Sequence, residues 1–158
     1  MSKRCHTIQL KDARATCQLA KEIGPRLRSG DVLLLWGEIG AGKTHFARCL
    51  IQACLAIPEE IPSPTYTLVQ VYSGVHADIW HADLYRINDA SDAVELGLHD
   101  AFCDSICLVE WPEKLGDLSP ASALSLSFEN PDGDDSRQLT LSWEHPDWSR
   151  KLKGIVFD

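Results

Sequence analysis

The segment VLLLWGEIGAGKT, residues 32–44, joins five consecutive apolar residues to a glycine-rich loop. An uninterrupted apolar run of this kind is typical of a strand that is buried on both faces of a parallel sheet. The loop GEIGAGKT, residues 37–44, matches the pattern GxxxxGK[ST] at every fixed position. A buried strand, this loop and an amphipathic helix after it together predict an α/β fold with a phosphate-binding loop (P-loop).

The residue types in the P-loop explain how it would bind phosphate. Gly37, Gly40 and Gly42 let the backbone turn tightly and approach a ligand without a Cβ in the way. Successive N–H groups at the start of the following helix favour an anion. Lys43 would place its charge at the β- and γ-phosphates, and Thr44 would offer its hydroxyl to Mg²⁺. We therefore predict a Mg-nucleotide ligand, and the absence of the guanine-reading pattern NKxD favours ATP.

Apolar runs and alternating patterns predict the order of the secondary-structure elements. Strands are expected at residues 6–10, 32–36, 65–72, 78–84, 106–109, 124–128 and 138–143, and helices at residues 12–23, 44–55 and 90–98. The turn sequence NPDG, residues 130–133, would join the last two strands into an antiparallel hairpin. The predicted fold is one domain, residues 1–158, built as a P-loop NTPase-like three-layer sandwich. Its central sheet is expected to be mostly parallel, with an antiparallel C-terminal flank.

Composition and charge exclude several classes of protein. The chain has 158 residues, of which 44% are hydrophobic, and this suits one globular domain. No apolar run exceeds five residues, whereas a membrane-spanning helix needs about 20, and no secretory leader is evident. We therefore expect a cytoplasmic protein without a membrane partner.

The net charge of −8 is unevenly distributed along the chain. Residues 1–50 have nine Lys and Arg against four Asp and Glu, a net charge of +5, and residues 51–158 have six against nineteen, a net charge of −13. The acidic part would repel a polyphosphate backbone, so a broad nucleic-acid surface is disfavoured. The basic part contains the P-loop and suits a small anionic ligand.

The six cysteines predict reduced, mostly buried thiols. No CxxC pair occurs, and Cys103 and Cys107 have no second pair at zinc-ligand spacing. A disulfide framework is instead typical of small secreted chains.

Two acids could complete a Mg²⁺ site beside the P-loop, which needs a carboxylate at the end of a neighbouring strand. Glu110 directly follows the apolar run at residues 106–109, at the carboxyl edge where α/β sheets bind ligands. Asp83 lies near the end of the predicted strand at residues 78–84. The patterns do not rank the two acids, and both remain candidates.

Five motifs in a fixed order resemble the TsaE family. They are GEIGAGKT (37–44), SPTYTL (63–68), HADLYR (81–86), ELG (95–97) and LVEWP (108–112). The resemblance covers roughly residues 7–115, and the hairpin beyond it is similar to the variable end of the family. It implies a bacterial ATPase required for the formation of threonylcarbamoyladenosine in tRNA.

The resemblance also implies roles for individual residues. Asp83 resembles the Walker B-type acid of the family, and Glu110 resembles its second acid, near the metal or the attacking water. Thr65 resembles a switch residue that senses the γ-phosphate. Trp111 matches a position beside the nucleotide, although a core aromatic residue would fit the same pattern.

The expected site residues fall into three sets. Those around the nucleotide are Gly37, Glu38, Ile39, Gly40, Ala41, Gly42, Lys43, Thr44 and Trp111. The catalytic candidates are Lys43, Thr65, Asp83 and Glu110, and the metal candidates are Thr44, Asp83 and Glu110.

The function implied by the resemblance is ATP hydrolysis that is slow alone and regulated by partners. The partners would be the TsaD and TsaB subunits, with tRNA contacted only indirectly, and the chain would be a monomer or a weak oligomer. The residues themselves leave two other functions open. One is a small-molecule kinase that passes the γ-phosphate to a metabolite, and the other is a nucleotide-gated adaptor with little hydrolysis.

Overall fold

The computed structural model describes residues 3–61 and 68–155. In this part of the chain a seven-stranded sheet has the strand order β1-β7-β6-β2-β5-β4-β3. The strands are β1 (Arg4–Leu10), β2 (Val32–Trp36), β3 (Val69–Ser73), β4 (Asp78–Asp83), β5 (Ile106–Glu110), β6 (Leu124–Glu129) and β7 (Arg137–Trp143). The α-helices are α1 (Ala13–Ile23), α2 (Lys43–Cys54), α3 (Ala90–Glu95), α4 (Leu98–Asp104) and α5 (Pro146–Lys151).

Parallel pairing is confined to the centre of the sheet. β2 pairs in parallel with β5 and β6, and β4 pairs in parallel with β5. β7 and β1 extend the sheet beyond β6 in antiparallel pairing, and β3 is antiparallel to β4 at the other edge. The predicted α/β class and C-terminal hairpin are confirmed. The expected parallel centre is also seen, in β6, β2, β5 and β4. The antiparallel pairing at the β3 edge was not predicted, and it arises because the short connection from β3 to β4 forms a hairpin.

Helices cover both faces of the sheet. Leu33 and Leu35 of β2 join the core under α1 and α2, whereas Val32 and Leu34 join the core under α3 and α4. Because both faces of the central strands are buried, their sequences are uninterrupted apolar runs.

The helix predicted at residues 90–98 is seen as α3, which ends earlier, and a second helix, α4, which was not predicted, follows it. α3 ends at Glu95, and α4 begins at Leu98 after Gly97, which has a φ of +87°. A residue in the left-handed region cannot continue a right-handed helix, so the chain changes direction there. The periodicity did not reveal this break because apolar residues continue across it.

Three further elements differ from the predictions. Helix α5 was not predicted, and it packs Trp148 into the core on the α1 and α2 face. A 3₁₀ segment at Pro112–Leu118 was also missed. The strand predicted at residues 65–72 is seen as Val69–Ser73, and residues 65–67 lie outside the described residues. In residues 3–61 and 68–155, no helix has the length and apolar character needed to span a membrane.

The prediction that all cysteines are reduced is wrong. A disulfide joins Cys17 of α1 to Cys49 of α2, with 5.3 Å between their Cα atoms. The spacing of 32 residues gave no signal, because the two cysteines meet only when α1 packs beside α2. The other thiols are free: Cys54 and Cys107 are buried, and Cys5 and Cys103 are exposed.

We predict three levels of thiol reactivity toward an aromatic disulfide reagent near neutral pH. In the native, unreduced protein only Cys5 and Cys103 should react, because burial raises the pKa of Cys54 to about 11 and that of Cys107 to about 12. Unfolding without a reductant should expose the four free thiols, and reduction should release all six. Six reactive thiols in the unfolded, unreduced protein would contradict the disulfide.

Candidate functional site

The P-loop connects β2 to α2 at the carboxyl edge of the sheet. Gly42 is the N-cap of α2 with a φ of +110°, and no side chain caps the helix. The first turn of α2 has no acidic residue. No side chain of α2 itself therefore neutralises the N–H groups at its start, and the positive end of the helix dipole favours a bound phosphate there.

The P-loop also packs closely against the C-terminal hairpin. Gly37 has a φ of +145°, and a Cβ at this position would lie 2.8 Å from the carbonyl oxygen of Phe128 in β6. A side chain at position 37 would therefore need both a rare backbone conformation and a displaced strand.

Lys43 is held inside the site. The residue is 4% exposed, its Nζ donates to the carbonyl oxygen of Gly37 at 2.5 Å, and Nζ lies 3.5 Å from the ring centroid of Trp111. Burial lowers the pKa of Lys43, and the neighbouring acids, Glu110 foremost, oppose this effect. The carbonyl and the aromatic ring stabilise the ammonium group at the position where a phosphate would need it.

A buried chain of hydrogen bonds links α2, β5 and β4. The Thr44 hydroxyl donates to Oε1 of Glu110 at 2.7 Å, and Nε2 of His81 lies 2.7 Å from Oε2 of Glu110. His81 is fully buried, and its Nδ1 has no hydrogen-bond partner within the described part of the chain. Because a carboxylate accepts hydrogen bonds, Nε2 of His81 is the donor in this contact. Both oxygens of Glu110 are therefore held in place.

Asp83 lies beside Glu110 on the neighbouring strand, and the two occupy paired positions in the parallel register of β4 and β5. Asp83 is buried, and its Oδ1 accepts the N–H of Tyr85 at 3.0 Å. The structure thus brings the two predicted acids together at one edge. It gives Glu110 a direct hydrogen bond with the P-loop threonine.

Trp111 follows Glu110 in a strained backbone conformation. Its φ is +58°, in the left-handed region, and Pro112 comes directly after it. Bulky residues rarely adopt this conformation, which costs about 1–3 kcal/mol. The indole lies over Lys43, and its centroid is 4.9 Å from that of the Tyr85 ring. Trp111 therefore belongs to the site, although it also packs against the core under α3 and α4.

These residues surround a cavity of about 470 Å³, a volume typical of small-molecule sites. Its lining consists of Ile39, Gly40, Gly42, Lys43, Thr44, His45, Asp83, Tyr85, Glu110, Trp111 and Arg137. Most of the predicted site residues therefore line one cavity. Thr65 lies outside the described residues, and Glu38 is an exposed residue of the P-loop.

Four residues of the site were not predicted from the sequence: His45 and Tyr85, which line the cavity, and His81 and Arg137, which hold other site residues in place. His81 is two residues before Asp83 on β4, so both side chains leave the same face of the strand, and this spacing could have signalled its position. Arg137 belongs to the hairpin that was taken for a variable end. Its guanidinium group donates to carbonyl oxygens of the P-loop, a contact for which the sequence pattern contains no signal.

The oxygen donors of the site fit Mg²⁺. Thr44 and Glu110 place a hydroxyl and a carboxylate oxygen 2.7 Å apart, and Asp83 is next to them. Mg²⁺ is usually bound by one or two carboxylates together with phosphate oxygens and water. Such a set would hold the ion together with its nucleotide.

Comparisons with known proteins identify relatives of the chain. The family model described as "Threonylcarbamoyl adenosine biosynthesis protein TsaE" matches residues 10–139. The tRNA threonylcarbamoyladenosine biosynthesis protein TsaE of Rickettsia bellii is 33% identical over 136 residues, which cover 86% of this chain and 94% of the relative. The protein of that name from Bacillus subtilis is 34% identical over 137 residues, which cover 86% of this chain and 82% of the relative.

A solved structure has the same architecture. The crystal structure of Bacillus subtilis YdiB matches with a TM-score of 0.79 and 26% identity, covering 97% of this chain and 95% of that chain. The family match ends in β7, well beyond the range of roughly residues 7–115 that the motifs cover. The matched region therefore includes β6 and the first residues of β7.

We predict that His81→Ala lowers the free energy of unfolding by about 2–4 kcal/mol, because it leaves a buried oxygen of Glu110 unsatisfied and opens a cavity. The measurement is the urea midpoint at a constant m-value. His76→Ala is the matched control, since His76 is exposed and should change stability by less than about 0.5 kcal/mol. Equal midpoints for the two variants would show that the buried contact contributes nothing.

Proposed function

The chain belongs to the TsaE family, and we propose that it is a Mg-dependent ATPase that supports threonylcarbamoyladenosine formation in tRNA. The observation that carries the proposal is the hydrogen bond from Thr44 to Glu110. It connects the threonine of a P-loop to an acid at the end of the adjacent parallel strand, which is the arrangement that nucleoside triphosphatases need around Mg²⁺.

The proposed roles of the residues follow from their positions. The N–H groups at the start of α2 would bind the β-phosphate, and Lys43 would turn from the Gly37 carbonyl to the phosphates. Thr44 and Glu110 would hold Mg²⁺, which when bound neutralises charge on the transferred phosphoryl group. Asp83, beside Glu110, would orient the attacking water. Removing one preorganised group that stabilises charge in the transition state typically costs a factor of about 10²–10³ in kcat.

Two exposed apolar residues at the cavity support regulation by a protein partner. Ile39 at the tip of the P-loop is 73% exposed, and Tyr85 is 46% exposed. Large apolar side chains that surround a polar site suit a protein surface that covers the site. We propose a complex of TsaD and TsaB subunits as this partner, with tRNA contacted only through it. The net charge of −13 in residues 51–158 agrees with the indirect role of tRNA.

We predict that Glu110→Ala retains nucleotide binding but loses turnover by at least about 100-fold, because the P-loop amides and Lys43 remain while the acid beside Thr44 is gone. Lys43→Ala is the matched comparison and should instead lose tight ATP binding. Calorimetry with ATP and a phosphate-release assay separate the two effects. Normal turnover in Glu110→Ala would remove Glu110 from the mechanism, and unchanged affinity in Lys43→Ala would refute the P-loop assignment.

We also predict that the TsaD–TsaB complex from the same organism stimulates phosphate release from Mg-ATP by about tenfold or more. The expected reason is that a partner over Ile39 and Tyr85 orders the site and excludes water. Binding of the partners without stimulation would favour a nucleotide-gated adaptor. A phosphorylated metabolite in place of free phosphate would indicate a kinase.

A further inference from the structure

Arg137, the first residue of β7, makes four hydrogen bonds through its guanidinium group. Two go to the P-loop, from Nε to the carbonyl oxygen of Ala41 at 2.8 Å and from Nη2 to that of Gly40 at 3.2 Å. The other two go from Nη1 to the carbonyl oxygens of Asp134 and Ser136, at 2.8 and 2.7 Å. One side chain thus ties the turn before β7 to the P-loop.

These contacts fix the direction of peptide groups in the P-loop. The described peptides are trans, so the N–H of Gly42 points opposite to the carbonyl of Ala41 and away from Arg137. The N–H of Ala41 donates to the carbonyl oxygen of Glu38 at 3.1 Å, which closes a turn at the tip of the P-loop. In this short stretch of backbone, Glu38 therefore holds the N–H of Ala41, and Arg137 holds the carbonyl groups of Gly40 and Ala41.

The P-loop needs these contacts because its own residues contribute little that would hold its backbone in one conformation. Glycines lose more conformational freedom on ordering than other residues do, and the P-loop contains Gly37, Gly40 and Gly42. Glu38, Ile39 and Gly40 are exposed, so no core packing holds the tip of the P-loop. A planar group with donors in fixed positions can hold two carbonyls at once.

The guanidinium group also contributes charge where the ligand would lie. Arg137 lines the same cavity as Lys43 and Thr44, and its Nε lies 3.6 Å from the position of a Cβ built on Gly42. Four of its five N–H donors are used by the carbonyls above, and the fifth has no partner among the residues that the structure describes.

We propose that Arg137 is a positioning residue that holds the P-loop in its phosphate-accepting shape before the nucleotide arrives. The C-terminal hairpin then contributes to nucleotide binding through Arg137. This inference rests on the proposed function, since it assumes that the P-loop binds nucleotide phosphates. The P-loop then loses its conformational entropy during folding instead of during nucleotide binding. The Arg137 contacts therefore increase the affinity for the nucleotide rather than the rate of the chemical step.

The experiment compares the unaltered chain with Arg137→Gln and Arg137→Lys. Arg150→Gln is the matched control, because Arg150 is an exposed arginine whose one ion pair among the described residues is with Asp147, and its removal changes the net charge equally. The first readout is amide hydrogen exchange of residues 38–42 without nucleotide. The second is Mg-ATP affinity by calorimetry, together with KM and kcat for phosphate release.

We expect Arg137→Gln to speed exchange of the Ala41 amide by about tenfold and to weaken Mg-ATP affinity by about tenfold or more, with kcat within about threefold. Arg137→Lys should be intermediate, because one ammonium group cannot hold two carbonyls in the same geometry. Arg150→Gln should leave both readouts unchanged. If Arg137→Gln is too unstable to purify, Arg137→Lys alone decides the question through the same two readouts.

Three results would overturn the inference. One is unchanged exchange with affinity within about twofold of the unaltered chain. Another is an equal loss of affinity in Arg150→Gln, which would assign the effect to net charge. The third is a fall in kcat with affinity preserved. If the unaltered chain binds no Mg-ATP, the proposed function fails, and the exchange rates measured without nucleotide still show whether Arg137 holds the P-loop.

Discussion

The burial of opposite charges beneath the P-loop is the constraint on which the rest of the site depends. Lys43 and Glu110 are 4% and 2% exposed, and an unpaired buried charge costs several kcal/mol. Each charge is therefore held by groups from other parts of the fold: the lysine by the Gly37 carbonyl and an indole ring, and the glutamate by Thr44 and His81. Because these partners belong to separate strands and a helix, the site forms only when the sheet and α2 have packed together.

The two kinds of strand pairing have different consequences for the site. Parallel pairing at the centre brings the carboxyl ends of β2, β4 and β5 to one edge, where the P-loop meets Asp83 and Glu110. The antiparallel hairpin of β6 and β7 extends from β2 on the other side, and Phe128 and Arg137 reach the P-loop from there. Part of the support for the P-loop therefore comes from a region without a nucleotide-binding motif.

The positions of the two neighbouring acids follow from sequence patterns, whereas their contacts do not. Both Asp83 and Glu110 were expected at strand ends, and the structure places them side by side. The sequence did not show that the Thr44 hydroxyl meets Glu110, because this contact depends on the position of the packed helix α2. The disulfide between Cys17 and Cys49 is a similar case, since neither cysteine lies in a pairing motif and only the contact between α1 and α2 brings them together.

The amino-acid sequence alone was sufficient for the strand–loop–helix unit at residues 32–54, for the place of Lys43 and Thr44 at the start of its helix, and for two acids at strand ends. These features depend on backbone sterics and on periodicity within a few residues, so neighbouring residues in the sequence determine them. Only the tertiary structure could show that His81 holds Glu110 across 29 positions and that Arg137 holds the P-loop across 96. Contacts of this kind depend on the order of strands in the sheet and on helix packing, and no local pattern specifies either.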